Sequence, residues 1–209
     1  MKKEQCRVCR RVGQKLFLKG ERCFSPKCAL VKRPFPPGPE SKKRRSAASG
    51  YKIALTEKQK LRNWYGLREF QFKAYVQDVL AERAKIADIA NELIKRLESR
   101  LDSTVFHMGF AKSRVTARQL VNHGFFKVNG KAIDIPSFSV KKGDVITIKE
   151  HKKKKGIFKD MDAQLKNRVA PNWIEMNKET LVGKMKGEPS LAEVTPPAEI
   201  STIFEYYSR

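Results

Sequence analysis

The sequence predicts an α+β chain with three parts: a four-cysteine, zinc-knuckle-like N-terminal segment, an all-helical domain, and an inserted unit of two helices on a small antiparallel sheet. Three observations carry this. All four cysteines fall within the first 28 residues. Apolar residues keep a helical period up to Val121 and switch to a period of two from Phe126 onward. The chain closes on Ile203-Phe204-Glu205-Tyr206-Tyr207, too apolar for a loose tail, and this end is expected to fold back onto the helical domain.

The cysteines read Cys6-x2-Cys9, then thirteen residues, then Cys23-x4-Cys28. Two close pairs across a short loop let four thiolates converge tetrahedrally on Zn²⁺, and a segment this basic would draw most of its folding free energy from the metal. A four-thiolate iron–sulfur cluster uses similar ligands, and free thiols or a disulfide pair are the plainer alternative. With every position filled by protein, the role would be structural. Residues 32–50 form a linker with Pro34, Pro36, Pro37 and Pro39, followed by Lys42-Lys43-Arg44-Arg45, which a ligand rather than a core would hold in place.

From Tyr51 to Leu97 the pattern is helical. Thr56 is placed to cap a helix that Gly66 ends, and Lys58, Lys60 and Arg62 give that helix a basic side. Phe72, Tyr75, Val76, Val79 and Leu80, then Ile86, Ile89, Ala90, Leu93 and Ile94, make stripes expected to be core. Leu97, Leu101, Val105 and Met108 predict a further helix capped at Gly109, and Ser113 opens a second whose stripe is Val115, Ala117, Leu120 and Val121. After Gly124, Phe126 and Val128 alternate with Lys127, Asn129-Gly130 supplies a two-residue turn, and Ile133 and Ile135 alternate with Asp134. Phe138 with Val140, and Ile146 with Ile148, predict further short strands. The expected divisions are 1–31, 32–50, 51–96 with 178–209, and 97–177.

Charge narrows the function. Lys and Arg total 45 against 22 Asp and Glu, a net +23 and a pI near 10.1, which would self-repel without a polyanion. Nucleic acid fits. No run approaches a membrane span, and the first residues lack an apolar signal core, so a cytoplasmic protein with reduced thiols is expected. Residues 1–62 hold 19 Lys or Arg and 4 Asp or Glu, whereas 188–209 hold one basic and four acidic residues, so the N-terminal third should lie deepest in RNA. Arg114 and Arg118 share a helical face, Lys112 precedes that helix, and Lys127 and Lys131 flank the turn, together a phosphate-tracking face. His151 and Lys152 to Lys155 form another basic run. His107, His123 and His151 have no evident nucleophile or carboxylate partner, and no Walker loop, dinucleotide fingerprint or nucleophile elbow is present.

Several runs carry a resemblance: Arg100-Leu101-Asp102, Met108-Gly109-Phe110-Ala111, Ala117-Arg118-Gln119-Leu120-Val121-Asn122-His123-Gly124, Val128-Asn129-Gly130-Lys131, Ile135-Pro136-Ser137 and Gly143-Asp144. Together they resemble the RNA-binding domain of the bacterial small-subunit ribosomal protein S-four family. Glu57-Lys58-Gln59-Lys60-Leu61-Arg62-Asn63-Trp64-Tyr65-Gly66 follows a signature of the same family, and Leu16 to Cys23 resembles its metal-bearing N-terminus. Pro36-Pro37-Gly38 is also similar, although Pro39-Glu40-Ser41 stands where the family often has Gln-His-Gly.

The resemblance implies a structural, non-enzymatic protein of the cytoplasmic ribosome that binds the five-prime domain of small-subunit rRNA early in assembly. It implies contacts with the fifth small-subunit protein and with messenger RNA at its entry, a part in decoding accuracy, and neither a membrane nor a small-molecule substrate. The candidate RNA contacts are Lys42, Lys43, Arg44, Arg45, Lys58, Lys60, Arg62, Arg100, Lys112, Arg114, Arg118, Gln119, Lys127, Asn129 and Lys131. Two rivals use the same module. One is an RNA-modifying enzyme such as a pseudouridine synthase, whose catalytic Asp also follows Arg-Leu, as Asp102 does; the other is an RNA chaperone or translational repressor.

Overall fold

The computed structural model describes residues 5–39, 47–153 and 169–208, with positions 156 and 165. These residues form two compact units, one drawn from 1–90 with 195–209 and one from 91–194.

The first unit begins with short helices α1 (Gln5–Val12), α2 (Glu21–Phe24) and α3 (Ala29–Lys32), among which Cys9, Leu16, Cys23 and Cys28 are buried. Helix α4 (Gly50–Trp64) starts six residues before the expected cap, Thr56. Ser49 is extended and its hydroxyl accepts from the Lys52 N–H at 3.3 Å, so Ser49 is the cap. Thr56 lies mid-helix, and its hydroxyl donates back to the Lys52 carbonyl at 2.8 Å. After Gly66, at φ 64°, α5 (Glu69–Ala81) buries Phe72, Val76 and Val79, followed by a 3-10 turn at Arg83–Lys85.

The second unit departs from the expected single helix across residues 97–108. The chain forms α6 (Ile89–Glu98) and α7 (Leu101–His107), broken at Ser99–Arg100. Arg100 is extended and bridges Ser139, while the Val140 N–H donates to the Ser99 carbonyl and the Leu101 N–H to that of Phe138. The expected strand at Phe138–Val140 is therefore a single bridge that interrupts the helix. Helix α8 (Arg114–Asn122) is capped by Ser113, whose hydroxyl accepts from the Thr116 N–H at 3.2 Å.

Strands β1 (Phe126–Val128) and β2 (Lys131–Ile133) make the expected hairpin, with Asn129 at φ 48° and Gly130 at φ 79° in the turn. β2 stops at Ile133, and Ile135 is exposed, as the chain turns off toward Pro136, whose carbonyl accepts from the Asp102 N–H. β3 (Val145–Ile148) and α9 (Glu150–Lys153) follow. Beyond them β4 (Ile174–Asn177) and β5 (Val182–Met185) complete an antiparallel sheet of order β2-β1-β3-β5-β4, with α10 (Leu191–Val194) after it. The division expected after residue 177 falls between two paired strands. Four-residue strands carrying Glu175, Gly183 and Lys184 leave too little alternation to be read from sequence.

Phe126, Val128, Ile146, Ile148, Gly183 and Met185 face the buried side of the sheet. Phe110 meets Phe126 there, ring centroids 5.7 Å apart. A Cβ on Gly183 would fall 2.5 Å from Sδ and Cε of the buried Met108, so any side chain there would have to displace the end of that methionine within the core. The opposite face carries Lys127, Thr147, Lys184 and Glu175.

A buried carboxylate joins α6, α7 and α8. Glu98 is fully buried; its carboxylate accepts from Arg114 Nη2 at 2.7 Å and Nη1 at 3.3 Å, and its Oε2 lies 2.9 Å from His107 Nε2. Arg114 Nη1 also donates to Ser103 Oγ at 3.0 Å, and its guanidinium lies 4.9 Å from the Phe106 ring centroid. Burial alone would push the Glu98 carboxyl up, but the charges and hydrogen bonds of Arg114 and His107 outweigh it and hold the group far below the usual carboxylate range.

In the first unit the chain end, α11 (Ile200–Ser208), lies on α4 and α5. It buries Ile200, Ile203 and Phe204, and Tyr207 packs against Phe72 with ring centroids 6.3 Å apart. Glu69 accepts from Lys58 at 2.6 Å, Arg62 at 3.1 Å and the Tyr207 hydroxyl at 2.9 Å. Burial opposes ionisation of Glu69, but Lys58 and Tyr207 prevail and leave its carboxyl below the ordinary value, while burial and Glu69 push the Tyr207 phenol up.

Two outcomes follow for the second unit. Gly183→Ala should cost about 1–3 kcal/mol of stability in urea unfolding, because Met108 must leave its place. Glu98→Gln should cost about 3 kcal/mol at pH 7 by stranding the Arg114 charge. Because the folded-state pKa of Glu98 is depressed, its contribution is full above about pH 4.3, the unfolded value, and drains at up to about 1.4 kcal/mol per pH unit below it. Urea midpoints measured between pH 7 and pH 3 should fall below pH 4.3 more steeply for the parent chain than for Glu98→Gln.

Candidate nucleic-acid interface

The residues expected to meet RNA divide by what already holds them. Lys58 is buried on Glu69, Arg62 shares the same carboxylate, and Lys60 pairs with Glu57 at 2.6 Å, so the basic side of α4 is largely neutralised within its own unit. Arg100 is 2 % exposed; its Nε and Nη2 donate to the two oxygens of Asp102 at 3.0 and 2.8 Å. Arg114 is held by Glu98. Asn129 is exposed but engaged: its amide donates to Asp144 at 2.8 Å and its carbonyl accepts from the Val145 N–H at 2.9 Å, locking the hairpin turn to the loop before β3.

The expectation that Arg114 and Arg118 form one solvent-facing pair is thus corrected. Helical spacing places them on one side of α8, but Arg114 sits at the first turn, where α6 and α7 pass. Lys42, Lys43, Arg44 and Arg45, with Lys154 and Lys155 of the second basic run, lie outside the described residues.

The others are spread over the second unit, with Lys131 in register with Val128 and Lys127 on the other face of the sheet. Lys112 and Gln119 are exposed and Arg118 is half-buried on or beside α8, while Lys127 and Lys131 are exposed on β1 and β2. Lys112 stands just before the Ser113 cap, where free backbone donors and the helix dipole also favour an anion.

Lys149 and Lys152, near the end of α8, were not among the expected contacts. Lys149 lines a cavity of about 270 Å³ with Asn122, His123, Gly124, Ala132, Ile133 and Asp134. Lys152 Nζ donates to the His123 carbonyl at 3.2 Å and lies 4.6 Å from the Phe125 ring centroid. The signal in the sequence was the lysine run after the last alternating strand, which shows charge but not that α9 turns it toward the end of α8.

Asp102, the residue a modifying enzyme would need, is 4 % exposed, bound by Arg100, and accepts from the Ser103 N–H at 3.0 Å. It fastens the start of α7 and presents no carboxylate to a substrate.

In the first unit, Cys6, Cys9, Cys23 and Cys28 are free thiols lining one small, apolar cavity of about 20 Å³ with Leu18, Lys19 and Leu30. The Lys19 N–H donates to Cys23 Sγ at 3.4 Å. Burial pushes the Cys9 thiol up, and the proximity of Cys23, Cys6 and Cys28 adds to that rise. Among the described residues no group of three or more His, Cys, Asp or Glu side chains is set as a metal-ion ligand shell. None of the described helices is long and apolar enough to cross a membrane.

Residues 1–98 match the model of the ribosomal protein S4/S9 N-terminal domain, and residues 99–146 that of the S4 domain. The chain is 46% identical over 205 residues to the small ribosomal subunit protein uS4 of Caldicellulosiruptor saccharolyticus, covering 98% of this chain and 96% of that one. It is 45% identical to the protein of the same name from Kosmotoga olearia and 40% identical to that from Thermus thermophilus, each over 204 residues with the same coverage. Two domain models spanning most of the sequence and relatives aligned almost end to end place the chain in one family: it belongs to the small ribosomal subunit protein uS4 family.

Proposed function

We propose that this chain is a structural constituent of the small ribosomal subunit that binds small-subunit rRNA and catalyses no reaction. Near-full-length similarity to proteins named for that subunit carries the reading. The exposed cations Lys112, Lys127 and Lys131 around α8 and the β1–β2 hairpin supply charge of the right sign, and the buried Arg100–Asp102 pair argues against the modifying-enzyme alternative. Such cations act by displacing the counterions of RNA phosphates, with selectivity from helix shape and 2′-hydroxyls rather than base reading.

The finer assignments rest on the family resemblance. The chain would bind the five-prime domain early in assembly, contact the fifth small-subunit protein, and lie near the entering messenger, where it bears on decoding accuracy. The basic run Lys42 to Arg45 is the segment assigned to that entry, and the ribosome would be its cytoplasmic location.

Cys6, Cys9, Cys23 and Cys28 would hold a structural Zn²⁺. Four soft thiolates suit that ion, and support comes from their lining of a single cavity. When bound, the metal would supply a cross-link that α1, α2 and α3 are too small to provide by apolar burial.

Lys112→Glu with Lys127→Glu should weaken binding to a five-prime-domain transcript by about 2–4 kcal/mol in filter assays and flatten its salt dependence, with urea stability unchanged. Arg114→Met should instead show its main effect in the urea midpoint; equal stability with lost binding would make Arg114 a direct contact. Elemental analysis of the purified chain should return about one zinc per molecule, and chelation should abolish the order of residues 5–31 in hydrogen exchange while leaving the second unit protected. A metal-free chain with the same exchange pattern would remove the metal from this account.

A further inference from the structure

Residues 5–39 hold a second concave surface, apart from the cavity among the thiols. Arg10, Arg22, Lys27, Lys32 and Arg33 line a cavity of about 390 Å³ together with Ala29. Its volume falls in the range of ligand pockets, far above the cavity among the thiols. None of its walls is acidic, and across residues 5–39 the sequence holds nine Lys or Arg against one acid, Glu21. The Arg10 side chain is fixed in place: Nε donates to the carbonyls of Arg33 and Phe35 at 3.1 and 2.9 Å, and its guanidinium lies 5.1 Å from the Phe35 ring centroid. Arg22, Lys27, Lys32 and Arg33 have no acidic partner among the described residues. Like charges gathered into one concavity without a counter-charge raise the energy of the free chain, and a polyanion seated there would reverse that term.

Helix α2, which carries Arg22, also exposes an aromatic ring. Phe24, two residues after Arg22, is 75 % exposed, and its ring stacks on Phe17 with centroids 4.8 Å apart and planes 26° from parallel. Phe17 sits at φ 51°, a left-handed conformation unfavourable for an aromatic residue, yet it is the conformation in which the pair forms. A stacked, solvent-facing pair offers a flat face to a nucleobase, and only an unpaired strand has bases free to take it.

We infer that this cationic cavity and the Phe24 ring form a site for unpaired RNA, the cavity taking successive backbone phosphates and the ring stacking a base. The inference rests on the RNA-binding reading above and assigns a strand type and a location within it. It is independent of Lys42 to Arg45 and of the cations around α8.

The test uses the full chain, a labelled unstructured RNA of about ten nucleotides, a duplex of the same length, and a five-prime-domain transcript, by fluorescence anisotropy across a salt series. Arg22→Gln with Lys32→Gln should weaken oligonucleotide binding on the order of tenfold or more and reduce the slope of log K against log salt by about 1.4. Phe24→Ala should weaken it on the order of tenfold with the slope kept. Both should alter duplex binding less than twofold, and circular dichroism and cysteine reactivity should match the parent. If the double variant misfolds, Lys27→Gln, in the loop before α3, carries the same test with a slope change of about 0.7.

Unchanged oligonucleotide affinity, or equal losses on single strand and duplex, would overturn the site. Loss with the cation variants but none with Phe24→Ala, together with tripolyphosphate binding as tightly as RNA, would make the cavity a phosphate site and overturn the unpaired-strand assignment. A parent chain that binds the transcript but not the oligonucleotide overturns this inference alone, whereas one that binds neither overturns the broader reading with it.

Discussion

A carboxylate with no access to water dictates how the second unit is assembled. Glu98 ends α6, and its charge is tolerable there only because α8 delivers Arg114 and α7 delivers His107 to its two oxygens. Apolar stripes would let three short helices slide or rotate against one another. A fully buried charge with three directed hydrogen bonds does not, since any slip would leave it unpaired. The break at Ser99–Arg100 serves the same arrangement, because a continuous helix would carry residues 101–107 straight on and take His107 away from Glu98. The second buried pair, Arg100 with Asp102, then fixes the angle at which the chain re-enters a helix.

This use of acids changes how the chain's surplus positive charge is to be read. Composition treats the 45 basic residues as one population, yet the acids are spent selectively. Glu57 pairs with Lys60, Glu69 is shared by Lys58 and Arg62, Asp102 neutralises Arg100, and Glu98 neutralises Arg114. The basic residues quoted in the family-like motifs therefore include many that build the protein. Those left for a ligand concentrate in segments where acids are scarce: residues 5–39, the hairpin, and the run after β3.

Much of the local structure was legible because backbone chemistry is local. Ser113, Gly109, Gly124 and Asn129-Gly130 each do what their side chains, or lack of one, dictate within three or four residues. Thr56 was misleading for the same kind of reason. A Thr before an apolar run suits a cap, but Ser49 offers one a full two turns earlier, and the longer helix α4 buries Ala54 as well as Leu61. The strands β4 and β5 escaped notice since their alternation is short and Gly183 contributes no apolar signal; that glycine is explained only by Met108, far away in sequence. The division of Arg114 from Arg118 was likewise invisible, because spacing gives the face of α8 and not the identity of what packs on its first turn.

The spacing of the four cysteines foretold convergence, and they do line one cavity, but α1, α2 and α3 also have to bring nine cations into 35 residues with one acid. Among the described residues apolar burial there is limited to Leu16 and the thiols themselves, so the proposed sulfur-anchored cross-link and bound polyanion would address separate deficits: the first would supply cohesion, the second would remove repulsion. A segment organised in this way would gain order from both partners and would hold its charged cavity open only while the thiol end is fastened. The cysteines would then matter to RNA binding without touching RNA, by fixing the distances among Arg10, Arg22 and Lys32, which line the cavity.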